Sequence, residues 1–139
     1  SKPLATSKGI ELVLLKNESV KIKCDPALIE EALQNLIGNA IRYSQSKTIE
    51  LALTNKRTAV ILSVKDYGIG IAPEHQSRIF ERFYRIDKAR SRELGGTGLG
   101  LAIVKHIARL HGGKISLTSN INEGCTFSIV LPKRRRMHP

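Results

Sequence analysis

Apolar residues recur at three- and four-residue steps through Leu28, Ile29, Ala32, Leu33, Leu36, Ile37, Ala40 and Ile41, the spacing of one buried helix face. Asp25 stands where a helix N-cap belongs and Pro26 where the first helical residue does, so a long amphipathic helix is predicted to start there. Ahead of it, residues 11–16 and 20–24 read as short strands joined at Asn17-Glu18-Ser19, which predicts a hairpin. Residues 48–54 and 58–65 predict two further strands across the polar turn Asn55-Lys56-Arg57, with Asp66 ending the second. A short helix is expected from Pro73 through Arg85, followed by a charged, aperiodic loop over 86–97. Residues 99–111 carry a second clear helical stripe, stopped by Gly112-Gly113, and two strands, 114–119 and 126–131, close the chain around a turn with Asn122 and Gly124. Helices interspersed with hairpins predict a two-layer α/β sandwich.

With 139 residues, 41% of them apolar, one domain over 1–139 is expected to bury an ordinary core. No segment is apolar enough to span a bilayer, and residues 1–8 lack the apolar centre of a signal peptide, so a cytoplasmic setting is expected. The chain opens without Met and runs straight into strand-like sequence, which reads as a piece of a longer protein. Cys24 and Cys125 lie far apart in strand-like contexts with no CxxC spacing, and are expected as reduced thiols in or near the core. The net charge of +11 fits a nucleic acid, a polyanionic ligand, an acidic protein or lipid headgroups. Only three Phe and three Tyr are available to stack bases, so nucleic acid is a secondary reading and no specific nucleic-acid partner is expected.

Three segments carry candidate chemistry. Asn35 and Asn39 are one turn apart on the same helix face, and a carboxamide oxygen is a suitable hard ligand for magnesium, with Asn39 the candidate ligand. Arg42 and Tyr43 at the same helix end would offer a guanidinium to phosphate and a ring to a purine. Taken alone, these positions are equally well read as ordinary polar sites on a helix. Asp66, in Asp66-Tyr67-Gly68-Ile69-Gly70, can only accept hydrogen bonds when ionised, so it would take the amino group of adenine and refuse the carbonyl of guanine. Gly68 and Gly70 would let the backbone approach the purine or take a positive φ, although a plain Asp-Gly turn explains the segment as well in isolation. The third segment, Gly95-Gly96-Thr97-Gly98-Leu99-Gly100, runs into a helix whose N-terminal amides favour phosphate oxygens. No Lys follows its last glycine and no strand precedes it in the dinucleotide-binding manner, so Walker-type and Rossmann readings both fail. Arg85, Arg90 and Arg92 are placed to close over phosphates, Arg85 best of the three, or else form a solvated basic loop.

Asn35-Leu-Ile-Gly-Asn39-Ala-Ile-Arg-Tyr43, Asp66-Tyr-Gly-Ile-Gly70, Ile79-Phe80-Glu-Arg-Phe83-Tyr-Arg85 and Gly96-Thr-Gly-Leu-Gly-Leu-Ala-Ile-Val104, in that order and over nearly the whole chain, resemble the ATP-binding catalytic domain of sensor histidine kinases. The resemblance implies the Bergerat ATP-binding sandwich, a mixed sheet of about five strands packed on three helices, with a lid over 85–97. It assigns Asn39 to magnesium, Asn35 to the metal and phosphate side, Arg42 to phosphate, Tyr43 and Asp66 to adenine, and Thr126 to support of the adenine pocket. Gly96, Thr97, Gly98, Leu99 and Gly100 would form the phosphate loop, and Phe80 and Phe83 would anchor the lid or else simply belong to the core.

In ATP-hydrolysing relatives of that superfamily a Glu stands where this chain has Asn35, which cannot serve as a general base, so poor hydrolysis is expected. The resemblance implies ATP and Mg2+ as cofactors and γ-phosphate transfer to a histidine on a helical dimerisation domain, from which a response regulator is phosphorylated indirectly. It also implies a homodimeric parent set in the inner membrane, the present segment being monomeric. His75, His106, His111 and His138 are the only histidines, and none has a phosphoacceptor context, so autophosphorylation within this segment is not expected. His106 and His111 read as surface or capping residues. Tyr67 stands where Asn is common in the family, and Cys125 where Ser or Thr is common; an exposed Cys125 would add redox sensitivity.

Overall fold

Asp25 begins the first helix through its side chain: Oδ1 accepts hydrogen bonds from the amides of Ala27 (3.1 Å) and Leu28 (3.3 Å). The structure, a computed structural model, describes residues 11–17, 22–43, 47–86 and 99–133. Helix α1 spans Pro26–Tyr43, and its expected stripe is buried, with Ala32 and Leu36 fully enclosed and Ile37, Ala40 and Ile41 beside them. Helix α2 is one turn, Pro73–Gln76, and α3 spans Gly100–Leu110, burying Val104, Ile107 and Ala108.

Five strands, β1 (Glu11–Asn17), β2 (Thr48–Asn55), β3 (Ala59–Asp66), β4 (Lys114–Asn120) and β5 (Gly124–Pro132), form one mixed sheet in the order β1-β2-β3-β5-β4. Strand alternation puts Ile49, Val64, Phe127, Ile129 and Leu131 on the helix side, where they meet the α1 and α3 stripes in one core.

Two expectations are corrected. The hairpin of 11–16 with 20–24 is not seen where it is described: Ile22, Lys23 and Cys24 are outside any strand, residues 18–21 lie outside the described residues, and β1 pairs in parallel with β2, Leu12 opposite Ile49. Helix α1 is the crossover between those strands, so β1 satisfies its backbone against β2 while α1 covers the sheet. The helix expected over 73–85 stops after one turn. Beyond it Arg78, Glu81 and Tyr84 donate to carbonyls three residues back, and Phe83 takes φ +64°, which no α-helix accommodates. This winding brings the Phe80 ring edge-on to Phe127, 6.1 Å between centroids, and the Tyr84 hydroxyl to His75 Nδ1 at 2.5 Å.

The C-terminus of α3 shows what its glycines do. Gly113 N–H donates to Ala108 O (2.8 Å) and Gly112 N–H to Arg109 O (2.9 Å), with Gly112 at φ +71°, the paired bonds of a Schellman ending.

Gly124 and Gly38 separate two kinds of glycine. Gly124 has φ +92°, and a Cβ there would lie 2.0 Å from Asp66 O; at Gly38 the nearest atom is the mobile end of Arg42, 3.1 Å away. Gly124→Ala is expected to destabilise the fold by at least about 2 kcal/mol. Gly38→Ala should be neutral or stabilising by up to about 1 kcal/mol through helix propensity. Urea unfolding midpoints of the two variants check the contrast.

Candidate functional site

The candidate groups gather at one edge of the sheet because of how the chain is threaded. β2 begins just beyond α1 with Ile49 opposite Asp66, and Asp66 ends β3 where β5 begins, so the C-terminus of α1, the end of β3 and the start of β5 share that edge. α3 ends at the opposite edge, where Gly113 lies against Val130 and β4 starts with Lys114 opposite Val130. Its N-terminus is therefore carried back along α1, and a Cβ on Gly100 would stand 3.3 Å from Asn35 Oδ1. Asn39 is one turn further toward the shared edge, half-buried like Asn35 and Arg42.

Asp66 is 5% exposed, one of two buried residues of polar or charged type among those described. Its Oδ1 accepts from Gly68 N–H (2.9 Å) and Cys125 N–H (3.3 Å), whereas Oδ2 accepts from none of the described residues. Burial raises its pKa above the usual carboxylate value, the two amide bonds opposing that with smaller effect. Such a group holds an oriented acceptor for a donor arriving through Oδ2.

The loop beyond Asp66 is tied to the β4–β5 turn. Ser119 Oγ accepts from Ile71 N–H (2.8 Å) and donates to Gly124 O (3.0 Å); Gln76 Nε2 donates to Ile71 O (2.8 Å) and Ser119 O (3.2 Å). Asn122 N–H donates to Ile69 O. Gly70 has φ +74° and presses on Asn120, its would-be Cβ 2.2 Å from that carbonyl oxygen, while Gly68 does not take a positive φ. The glycine at 70 thus serves the loop's approach to the hairpin.

Cys125 lies in the core as expected, whereas Thr126 departs from the place expected of it. Thr126 pairs with Lys65 and faces away from the helices, so it does not wall the Asp66 side; Cys125 does, through its amide and its position on the inner face. Its thiol is 7% exposed, lies 3.2 Å from Ser119 Oγ, and is pushed up to about 11 chiefly by burial, with the Asp66 carboxylate adding to the rise. The exposure that redox sensitivity would need is absent. Tyr67, the other departure, is half exposed on the opposite face, its hydroxyl on the Glu50 carboxylate and its ring under Lys65 Nζ at 4.8 Å. It leaves the Asp66 side untouched.

Leu99 is the N-cap of α3 and has no side chain able to cap, and no acidic residue follows in the first turn. Gly96, Thr97, Gly98, Arg90 and Arg92 lie outside the described residues, as does the side chain of Tyr43, which closes α1. Arg85 is half-buried and lines a hollow with Arg78, Glu81, Arg82, Phe83 and Tyr84. Phe80 packs on the core and Phe83 is 64% exposed, while 87–97, nearly all of the expected lid, lie outside the described residues. His111 caps α3, one of the two roles expected of it, but it is 3% exposed and buried against the start of α1 rather than at the surface, because packing of α3 on α1 encloses that end.

The sequence matches the family described as "Histidine kinase-, DNA gyrase B-, and HSP90-like ATPase" over residues 24–135. It is 46% identical over 132 residues to the sensor-like histidine kinase SenX3 of Mycobacterium tuberculosis, covering 94% of this chain and 32% of that protein. It is 44% identical over 117 residues to the signal transduction histidine-protein kinase ArlS of Staphylococcus aureus, covering 84% of this chain and 26% of that protein. Among solved structures, full-length ShkA in complex with AMPPNP superposes with a TM-score of 0.82 at 30% identity, over 99% of this chain and 28% of that one. The catalytic domain of histidine kinase ThkA gives 0.79 at 29% identity, over 95% of this chain and 86% of that one. The chain therefore belongs to the histidine kinase-, DNA gyrase B- and HSP90-like ATPase family, as an ATP-binding catalytic domain of the sensor histidine kinase type. It spans between about a quarter and a third of the length of these curated relatives.

The raised pKa of Asp66 has a sign that can be measured. A carboxyl whose folded pKa lies above its unfolded value adds most to stability below the unfolded value, and that contribution is lost as pH rises through the folded pKa. Asp66→Asn keeps an Oδ1 for both amides and cannot ionise. Without nucleotide it is expected to be more stable than the parent at pH 7, with the gap closing as pH falls toward 3.8, the value Asp66 has when unburied. Denaturant midpoints over a pH series check the direction.

Proposed function

We propose that this domain binds Mg-ATP with adenine on Asp66 and the triphosphate across Asn35, Asn39 and the N-terminus of α3, and donates the γ-phosphate to a histidine on a separate helical domain. The observation that carries the reading is the convergence, at one sheet edge, of a buried carboxylate whose Oδ2 accepts from none of the described residues and a carboxamide helix face lying against the N-terminus of α3. The Asp66 acceptor takes the exocyclic amine of adenine and repels the carbonyl of guanine. Amides at the start of α3 receive phosphate oxygens, as do Arg42 and Arg85, with Gly96, Thr97 and Gly98 as the approach to that helix.

The magnesium fit rests on Asn39. Among the described residues no group of three His, Cys, Asp or Glu offers another site, and Asn39 would hold the cation through its carboxamide oxygen, with phosphates and water supplying the other ligands. Bound there, it would neutralise charge on the phosphate chain. The domain's own residues do the positioning: Asn35, in place of an acidic side chain, does not activate water, so the acceptor is a partner's imidazole. Its ring nitrogen forms the bond to the γ-phosphorus as the bond to the β,γ-bridging oxygen breaks, and ADP leaves with that electron pair. The parent is a homodimeric inner-membrane sensor with this domain in the cytoplasm, passing phosphate on to a response regulator. No helix among the described residues is long and apolar enough to cross a membrane.

Calorimetric titration should give ATP and ADP binding with Mg2+ and no measurable GTP binding. Asn39→Ala is expected to weaken Mg-ATP by about 10–100-fold. Asp66→Asn should cost a similar factor, about 10–100-fold. The parent's affinity should fall in acid as pH drops through the raised Asp66 pKa, and Asp66→Asn should lack that dependence. Equal affinity for GTP would refute the base-recognition assignment.

Incubation with labelled ATP and the parent's helical domain should label that domain in an acid-labile, alkali-stable form. Acid-stable label would mean a hydroxyl acceptor, as in a serine kinase, and no transfer at saturating nucleotide would refute the kinase assignment.

A further inference from the structure

Helices α1 and α3 approach each other near both ends. At one, Asp25 N–H donates to His111 Nε2 at 3.0 Å, while His111 Nδ1 lies 2.8 Å from Ile107 O. A carbonyl can only accept and an amide N–H can only donate, so Nδ1 carries the proton and Nε2 is bare. The imidazole, 3% exposed, thereby bridges the last turn of α3 to the residue that caps α1. At the other end Gly100, the first residue of α3, abuts Asn35 Oδ1.

The helices thus run antiparallel, and both intervals, Asp25 to Asn35 and Gly100 to His111, are about 15 Å at the helical rise. Between them lie Ala32, Val104, Ile107 and Ala108, all buried and apolar. Apolar contacts decide which faces meet, whereas a directional hydrogen bond also fixes the axial position of one helix on the other.

We propose that His111 is a positioning residue for the phosphate end of the nucleotide site: by holding α3 axially against α1, it sets the placing of the α3 N-terminus relative to Asn35 and Asn39. This rests on the nucleotide reading above. The adenine end is held independently, since Asp66 takes its position from the Gly68 and Cys125 amides within the sheet and its turn.

That independence makes the test differential. His111→Phe keeps a ring without nitrogens; His111→Asn keeps a donor for Ile107 O but has no acceptor that reaches Asp25; His111→Gln places an Oε1 near the position of Nε2. The Phe and Asn variants are expected to bind Mg-ATP about tenfold more weakly, the scale of one hydrogen bond, with adenosine affinity unchanged within about twofold. Gln should recover most of the loss. A purely structural role would weaken ATP and adenosine together, and that result, or an unchanged ratio, overturns the proposal.

Nitrogen-15 NMR of the unmutated domain decides the matter even where a variant fails to fold. Saturating Mg-AMPPNP should shift the His111 imidazole and Asp25 amide resonances while adenosine leaves them in place, and no shift with nucleotide bound overturns the coupling. A parent domain that binds neither Mg-ATP nor Mg-AMPPNP refutes the site reading itself, a distinct failure.

Discussion

A carboxylate removed from water at the end of β3 is the constraint around which the site is organised. Asp66 stays there because Gly68 and Cys125 give it two amide donors, which offset part of the cost of burying a charge and fix the plane of the group. Both donors depend on glycine geometry nearby. Gly124 lets β5 begin against the Asp66 carbonyl, and Gly70 lets the following loop press on Asn120. The Ser119 and Gln76 bonds then lock that loop to the hairpin, so the acceptor is set by the sheet rather than by a mobile segment.

The two helices above the sheet supply the other half of the site under a different constraint. Their apolar stripes are buried in the core shared with β2, β3 and β5, and they approach each other near both ends, at Asn35–Gly100 and Asp25–His111. One part of the site is therefore ruled by strand register and the other by helix–helix packing. That division permits the two ends of a nucleotide to be read by groups whose positions are set separately.

Most of the element map was legible because its signals are local. The Asp25 cap, the α1 and α3 stripes and the Gly112-Gly113 stop each rest on residues a few positions apart, and each is where its spacing put it. The failures are all long-range. Residues 11–16 carry no mark telling a hairpin partner from a parallel partner more than thirty residues away, and the stretch after Pro73 leaves its helix because Phe80 and Tyr84 have tertiary destinations. Thr126 was one residue out of place: with a side-chain period of two, a single step in β5 exchanges the pocket face for the opposite face.

By itself the sequence determined where α1 and α3 start and stop, most of the sheet-forming segments and the chemical types gathered for a nucleotide, since composition, capping and periodicity are properties of neighbours along the chain. Tertiary structure alone decided which partner β1 takes, that Cys125 rather than Thr126 stands beside Asp66, that Tyr67 turns to Glu50 and Lys65, and that His111 is enclosed against Asp25. The physical reason is that burial and hydrogen-bond partnership across a sheet or between helices depend on register, and register is fixed only when the whole core closes.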